Sequence, residues 1–187
     1  MSQFYTDMKI LRRILIVTND STVFKDKSKL LSAFDMFEGR ATEVKKLVAR
    51  LDTATTETGS KLCDVSYGVI TTKYGFVPGN YMITGYDKVM ETKEDYIEAD
   101  KAKGYVEQVS YLTRPFDKVI FCMPKEMFRL FIEFNDIADG KLIAVTNPEF
   151  EEECEKRKWV YLERKGARVG NENADRIEEI VRELCKQ

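Results

Sequence analysis

The chain has 187 residues, of which 43% are hydrophobic and 33% are charged, and this is the composition of a globular protein with one ordinary hydrophobic core. Its 30 basic and 32 acidic residues leave a formal net charge of −2, so we expect no global electrostatic attraction to nucleic acid or to an anionic membrane. The sequence contains no histidine, which excludes Ser-His-Asp and Cys-His catalysis and leaves Asp, Glu, Lys, Tyr or Cys as acid or base.

The sequence shows neither a signal-peptide pattern at its start nor a run of about eighteen apolar residues that would span a membrane. Its four cysteines, at positions 63, 122, 154 and 185, lack the short spacing of a zinc site or a C-x-x-C pair. We therefore expect buried, unpaired thiols in a reducing compartment, no metal site, no membrane contact and a cytoplasmic location.

The first half of the chain predicts two strands, a helix and a long loop. Residues 13–18 form an apolar, β-branched run ended by Asn-Asp-Ser, which is typical of a strand buried on both faces. Apolar residues at helical spacing between 41 and 51 predict a helix that packs one face on the sheet. Residues 65–71 predict the second strand, and the stretch from 73 to 87 follows it as a glycine-punctuated loop.

The second half alternates helices and strands. Residues 97–112 predict a longer helix, weakened by Gly104, and strand-helix units follow at 118–123 with 127–134 and at 142–146 with 149–155. Residues 159–162 predict a fifth strand, and a terminal helix follows with Asn171 or Asn173 as its cap. The whole chain is therefore predicted to be a single three-layer α/β domain with a mostly parallel five-stranded sheet and helices on both faces, in a Rossmann-like arrangement.

Polar residues follow the ends of the predicted strands, and in parallel α/β sheets ligands bind outside these carboxyl ends. A carboxylate there can act as acid or base, a lysine can contact an anion, and a tyrosine can stack on a planar ring. We therefore predict Asp20 and Asp87 as catalytic carboxylates. The predicted ligand-binding residues are Thr18, Asn19, Lys73, Tyr74, Gly75, Tyr86 and Lys125.

Each of these residues also has a plain structural interpretation. Asp20 and Asp87 suit turns and caps, Lys125 is also explained as a solvated lysine near a helix end, and the Lys73 region is equally explained by loop packing. No glycine-rich cofactor fingerprint follows the first strand, which disfavours classical NAD and ATP binding. The cofactor is therefore left unassigned.

Residues 156–168 offer a different function. They interleave Arg157, Lys158 and Arg164 with Trp159 and Tyr161, as single-stranded nucleic-acid grooves do. The acidic residues 151–155 lie nearby, which favours a charged surface strand instead. A non-enzymatic module that binds nucleic acid or protein is therefore the alternative to a small-ligand protein.

Several segments together resemble the YaaA-like proteins and related small α/β domains of unknown function. The most specific is Lys73-Tyr74-Gly75 followed at a matching distance by Tyr86-Asp87. The other segments are Ile14 to Thr18, Ala33-Phe-Asp-Met-Phe-Glu-Gly39, Ile70-Thr-Thr-Lys-Tyr-Gly-Phe-Val-Pro78 and Phe116-Asp-Lys-Val-Ile120.

The resemblance covers roughly the first two thirds of the chain and implies a role related to nucleotides or nucleic acid. Relatives often carry Cys-Ser followed by Lys after the first strand, where this chain has Thr18-Asn19-Asp20-Ser21, so cysteine chemistry is lost at that position. We therefore predict that the protein binds a nucleotide, nucleobase or similar planar anionic ligand, as an enzyme related to nucleic-acid modification or as a binding protein.

Overall fold

A computed structural model gives the structure of the protein over residues 11–187. The strands in this part of the chain are β1 (Arg12–Asn19), β2 (Leu31–Ser32), β3 (Thr56–Glu57), β4 (Ser60–Lys61), β5 (Cys63–Thr71), β6 (Gly75–Pro78), β7 (Met82–Ile83), β8 (Lys118–Cys122), β9 (Leu142–Thr146) and β10 (Val160–Glu163). Six of them form the central sheet in the order β10-β9-β8-β1-β5-β6, and every neighbouring pair is parallel except β5 with β6. The pairs β2–β7 and β3–β4 are short antiparallel ribbons.

The helices are α1 (Ala33–Met36), α2 (Ala41–Ala54), α3 (Lys93–Lys103), α4 (Tyr105–Leu112), α5 (Lys125–Phe134), α6 (Glu151–Lys156) and α7 (Asn171–Cys185), and a 3-10 turn at Pro148–Phe150 leads into α6. Alternate residues of the buried strands enter two separate cores. Ile14 and Ile16 of β1 pack with α1, α2 and α7, whereas Leu15 and Val17 pack with α3, α4 and α5. The predicted α/β class is therefore confirmed, with helices on both faces of a mostly parallel sheet.

The sheet has six strands where the sequence predicted five. The additional strand is β6, which lies inside the stretch predicted as loop and pairs Val77 opposite Val69 of β5. The turn between the two strands depends on Gly75, whose φ of +72° suits glycine, and on the backbone N–H of Tyr74, which donates to Thr71 Oγ1 at 2.9 Å. The hairpin was missed because its second strand is only four residues long and contains Pro78, which is tolerated at a sheet edge.

Two helix predictions also needed correction. The helix predicted over 97–112 is divided at Gly104, whose φ of +65° ends α3 before α4 begins. The cap of α7 is Gly170 and neither of the predicted asparagines. Asn173 instead uses its side-chain amide to donate to the backbone carbonyls of Glu163 and Val169, each at 2.8 Å.

The prediction of unpaired cysteines was wrong for one pair. Cys63, at the start of β5, forms a disulfide with Cys185, at the end of α7, and their Cα atoms lie 5.8 Å apart. No local pattern indicates this pair, because 122 residues separate the two positions and only the packing of α7 on the sheet brings them together. Cys122 and Cys154 are free and buried. Within residues 11–187, no helix is long and apolar enough to cross a membrane.

Candidate functional site

A cleft of about 440 Å³ lies at the edge of the sheet formed by the carboxyl ends of the parallel strands. This volume falls in the range of small-molecule sites. Its walls come from the segment after β1, the start of α2, the segment before α3, α3 itself and the segments after β8 and β10. The lining residues are Asn19, Asp20, Ser21, Thr22, Val23, Gly39, Arg40, Val89, Met90, Glu91, Tyr96, Pro124, Arg164 and Arg168.

Asp20 is 1% exposed and lies at the end of β1. Its Oδ2 accepts hydrogen bonds from the Tyr86 hydroxyl at 2.6 Å and from the backbone N–H and hydroxyl of Thr72, each at 2.8 Å. Its Oδ1 is buried and has no hydrogen-bond partner among residues 11–187. Burial raises the pKa of Asp20 to about 6, because loss of water outweighs the hydrogen bonds from Tyr86 and Thr72 and the charge of Arg168.

Tyr86 is held in place by other aromatic rings. Its ring meets that of Phe24 edge-on at a centroid distance of 5.2 Å, and the rings of Tyr74 and Phe37 lie at 6.2 and 6.3 Å. Burial and the neighbouring Asp20 carboxylate raise the pKa of Tyr86. The tyrosine therefore remains protonated near neutral pH and acts as a donor toward Asp20.

Residues 84–91, which we call the wall segment, carry Tyr86 and end in the cleft lining. The Thr84 hydroxyl lies 2.9 Å from the Tyr74 hydroxyl, and the backbone N–H of Gly85 donates to the carbonyl of Lys27 at 3.1 Å. A Cβ on Gly85 would lie only 2.5 Å from the Lys27 Cα, so glycine permits this close approach. Nearer the cleft, the N–H of Met90 donates to the Thr72 hydroxyl oxygen at 2.9 Å.

Three arginines line the cleft. Arg168 is 4% exposed, and its guanidinium donates from Nη1 to the carbonyl of Asn19 at 2.6 Å and from Nη2 to that of Asp20 at 2.7 Å. Arg164 is half-buried and donates from Nη1 to the carbonyl of Met123 at 2.7 Å, whereas Arg40 is exposed at the start of α2. Over residues 11–187, none of the three has a carboxylate within 4.0 Å. Burial lowers the pKa of Arg164 and Arg168.

Four of the residues predicted for the site lie together. Asp20 and Tyr86 share a hydrogen bond, and Asn19 and Asp20 line the cleft. Thr18 is buried behind them, where its hydroxyl donates to the Cys122 carbonyl at 2.7 Å and accepts from Arg168 Nη1 at 3.0 Å. The side chain of Thr18 therefore fixes the carboxyl end of β1 to β8 and to Arg168 and does not line the cleft.

The other predicted residues lie outside the lining of this cleft in the described part of the chain. The Asp87 side chain is fully exposed and faces Lys27 Nζ at 3.7 Å. Lys73 Nζ lies 5.1 Å from the ring centroid of Tyr74, at the tip of the β5–β6 hairpin beside Gly75. Lys125 pairs with Glu149 at 3.2 Å. The structure therefore does not bring Asp87, Lys73 and Asp20 to one point.

Sequence reasoning missed the arginines, although a signal for two of them existed. Arg164 and Arg168 follow β10 directly, and the same rule about the carboxyl ends of strands that selected Asp20 applies to them. Both were assigned instead to the basic and aromatic stretch. Arg40 follows a four-residue helix, and no local pattern in the sequence indicates its position.

The basic and aromatic stretch does not present its rings as a groove. Trp159 is 4% exposed, and its indole N–H donates to the Ala138 carbonyl at 3.0 Å. The Arg157 guanidinium stacks over this ring at 4.7 Å from the centroid and pairs with Glu153 at 2.6 Å. Trp159 and Arg157 are therefore engaged with the protein itself, whereas Lys158 is exposed.

Comparisons of the chain with protein-family models, curated proteins and solved structures found no match. The resemblance to YaaA-like proteins therefore stays a prediction, supported only by the segments quoted above.

Proposed function

We propose that the protein binds a nucleotide, nucleobase or similar planar anionic ligand in the cleft at the carboxyl edge of its sheet. The observation that carries this proposal is the set of three arginines in the lining without a carboxylate partner in the described chain. Arg164 is half-buried and Arg168 is buried, and burying a cation is costly unless a partner compensates its charge; an anionic ligand would supply that partner.

The type of cation and the neighbouring helix favour a phosphate as the anionic group. The planar guanidinium fork matches the oxygens of a phosphate better than a lysine ammonium does. The 14-residue helix α2 begins at the cleft, and its start at Arg40 has no side-chain cap. The partial positive charge of this helix end adds to that of the arginines.

The opposite wall of the cleft suits a flat ring. Val89, Met90 and Pro124 contribute apolar surface, and Tyr96 of α3 contributes an aromatic side chain. Met90 and Tyr96 belong to the core on the α3 face of the sheet, whereas Arg40 lies on the α2 face. A ligand with an apolar ring and a phosphate could therefore contact both faces at once.

Catalytic roles for Asp20 and Asp87 stay predictions. Asp20 has the raised pKa of an acid or base, but its carboxyl is buried, and Asp87 points to solvent. The predicted cytoplasmic location rested partly on unpaired cysteines, and the pairing of Cys63 with Cys185 removes part of that support. Nucleic-acid binding through residues 156–168 is disfavoured because Trp159 is buried.

Calorimetric titration with nucleobases, nucleoside monophosphates and nucleoside diphosphates tests the proposal on the parent protein and on Arg40→Ala. Arg40 is exposed, so its replacement should leave folding intact and weaken binding at least about tenfold, the loss expected for one hydrogen bond to a charged group. Arg182→Ala, on the last turn of α7, is the matched control and should bind as the parent does. Absence of binding to every compound, or equal binding by Arg40→Ala and the parent, would overturn the proposal.

A further inference from the structure

Two separate parts of the chain meet at one oxygen of Asp20. The turn after β5 contributes both donors of Thr72, and the wall segment contributes the hydroxyl of Tyr86. Asp20 itself is fixed to the sheet, because its backbone N–H donates to the Ile70 carbonyl at 2.8 Å. Its side chain therefore connects the rigid end of β1 to a segment that has no regular secondary structure.

Thr72 extends this connection to the residues that line the cleft. Its hydroxyl donates to Asp20 Oδ2 and accepts from the backbone N–H of Met90. Met90 and its neighbours Val89 and Glu91 form part of the lining. Within the wall segment, Tyr86 is thus attached to the Asp20 carboxyl directly. Met90, near the end of the segment, is attached to it through the Thr72 hydroxyl.

We propose that Asp20 is a latch, a positioning residue that holds the wall segment against the end of β1 and so keeps the cleft in its ligand-binding shape. The consequence for binding rests on the proposed function, whereas the latch itself can be measured without any ligand. The position of the carboxyl favours this role over direct contact with a ligand. Oδ2 already accepts three hydrogen bonds, and Oδ1 is buried.

The groups around Asp20 determine how the latch responds to pH. Tyr86 faces it from the wall segment, Tyr96 from α3, Tyr105 from α4 and Arg168 from the connection between β10 and α7. The pKa values of the three tyrosines are raised by burial, so Arg168 is the only one of these groups that is charged near neutral pH. Its attraction does not offset burial, which raises the pKa of Asp20 from 3.8 to about 6.

The direction of the pH effect follows from this shift. Opening of the wall segment would admit water and return the pKa of Asp20 toward 3.8, so the closed form binds the proton more tightly than the open form. Protonation of Asp20 therefore favours closure, and this contribution is lost as pH rises through about 6. With these two pKa values, the opening equilibrium should increase about tenfold between pH 5 and pH 7.5.

Amide hydrogen exchange of the free protein, corrected for the intrinsic pH dependence of exchange, tests the latch at pH 5 and pH 7.5. The amides of Gly85 and Met90 should show the tenfold change in opening in the parent and almost none in Asp20→Asn, whose side chain does not titrate. Amides of β8, in the centre of the sheet, serve as the internal reference. A merely structural role of Asp20 would lower protection without creating this pH profile.

Tyr86→Phe keeps the ring and removes one arm of the latch, so it tests the inference even if Asp20→Asn folds poorly. It should increase opening of the wall segment roughly tenfold at pH 7.5, the loss of one hydrogen bond to a charged group, and less at pH 5, where the Asp20 carboxyl is mostly protonated. Tyr111→Phe, an exposed tyrosine of α4, is the matched control and should leave exchange unchanged.

The exchange result separates the two proposals. Equal exchange in the parent, Asp20→Asn and Tyr86→Phe would overturn the latch even if nucleotides bind. The expected exchange pattern together with no binding by the parent would support the latch and overturn the proposed function. If both proposals hold, the ligand binds the closed form. When the open form is the more populated one, Tyr86→Phe should therefore weaken binding by the same factor by which it increases opening.

Discussion

The two ends of the central sheet use their polar residues differently. At the amino end, charges and cysteines are paired with each other. Asp117 accepts from Arg12 Nη1 at 3.2 Å and from the backbone N–H of Arg13 at 2.7 Å, and the disulfide joins Cys63 at the start of β5 to Cys185. This end of the molecule stabilises the fold.

At the carboxyl end, several charged and polar atoms of the described chain remain without a partner. Within the described residues, three arginines lack carboxylate partners, and the buried atoms Asn19 Oδ1, Asp20 Oδ1 and Arg168 Nε lack hydrogen bonds. Buried polar groups without partners cost free energy, and such groups occur often at functional sites. The amino end therefore contributes mainly to stability, and the unpaired groups of the carboxyl end support the binding role proposed for it.

Removal of the disulfide should produce the largest loss of stability. The bond closes a loop of more than 100 residues, so the double change Cys63→Ala with Cys185→Ala should lower the free energy of unfolding by about 4 kcal/mol. Denaturant unfolding with and without reductant measures this. The parent should respond to reductant and the double variant should not; a parent that unfolds identically in both conditions would show that the amino end does not depend on this bond.

Replacement of Arg168 tests how much the carboxyl end contributes to stability. Arg168→Met leaves the carbonyls of Asn19 and Asp20 without their donor, so we expect a loss of about 2 kcal/mol in the free energy of unfolding. Arg182→Met, on the exposed side of α7, should stay within about 0.5 kcal/mol of the parent. No loss in Arg168→Met would mean that these two hydrogen bonds do not contribute to stability.

A smaller effect is expected where the wall segment approaches Lys27. Gly85→Ala introduces a Cβ that would lie 2.5 Å from the Lys27 Cα, and relief of this overlap should cost about 1 kcal/mol. Asn80→Ala, at an exposed position just before β7, is the control. Thermal unfolding measures the stability of both variants. Equal midpoint temperatures would show that the wall segment moves away from Lys27 without a loss of stability.

Much of the fold could be predicted because its strands are long apolar runs. Strands β1, β8 and β9 correspond to three predicted apolar runs, at residues 13–18, 118–123 and 142–146. Each run contains too few polar residues to have a face exposed to solvent. What could not be predicted depends on backbone conformation. The hairpin at Gly75 and the division of the helix at Gly104 both require positive φ, and a glycine in the sequence does not reveal which φ it adopts.

Of the candidate site, the sequence predicted the residues at the end of β1 and the tyrosine that bonds to them. The rule on carboxyl ends selected Asn19 and Asp20, which line the cleft, and Tyr86 meets Asp20 although 66 residues separate them. Asp87, the next residue, points to solvent, and an irregular segment has no periodicity from which this direction could be predicted. Arg168 contacts Asp20 across 148 residues, and such a contact follows from the sheet order and not from any local pattern.

The position of Trp159 decides how this protein can be followed in solution. It is the one tryptophan of the chain, it is enclosed near the amino end of β10, and its N–H is bonded to Ala138. Its fluorescence will therefore change when the molecule unfolds and should stay nearly constant when a small molecule enters the cleft at the other end of the strand. Tryptophan fluorescence thus reports unfolding and not ligand binding, so binding titrations need calorimetry or an added fluorophore.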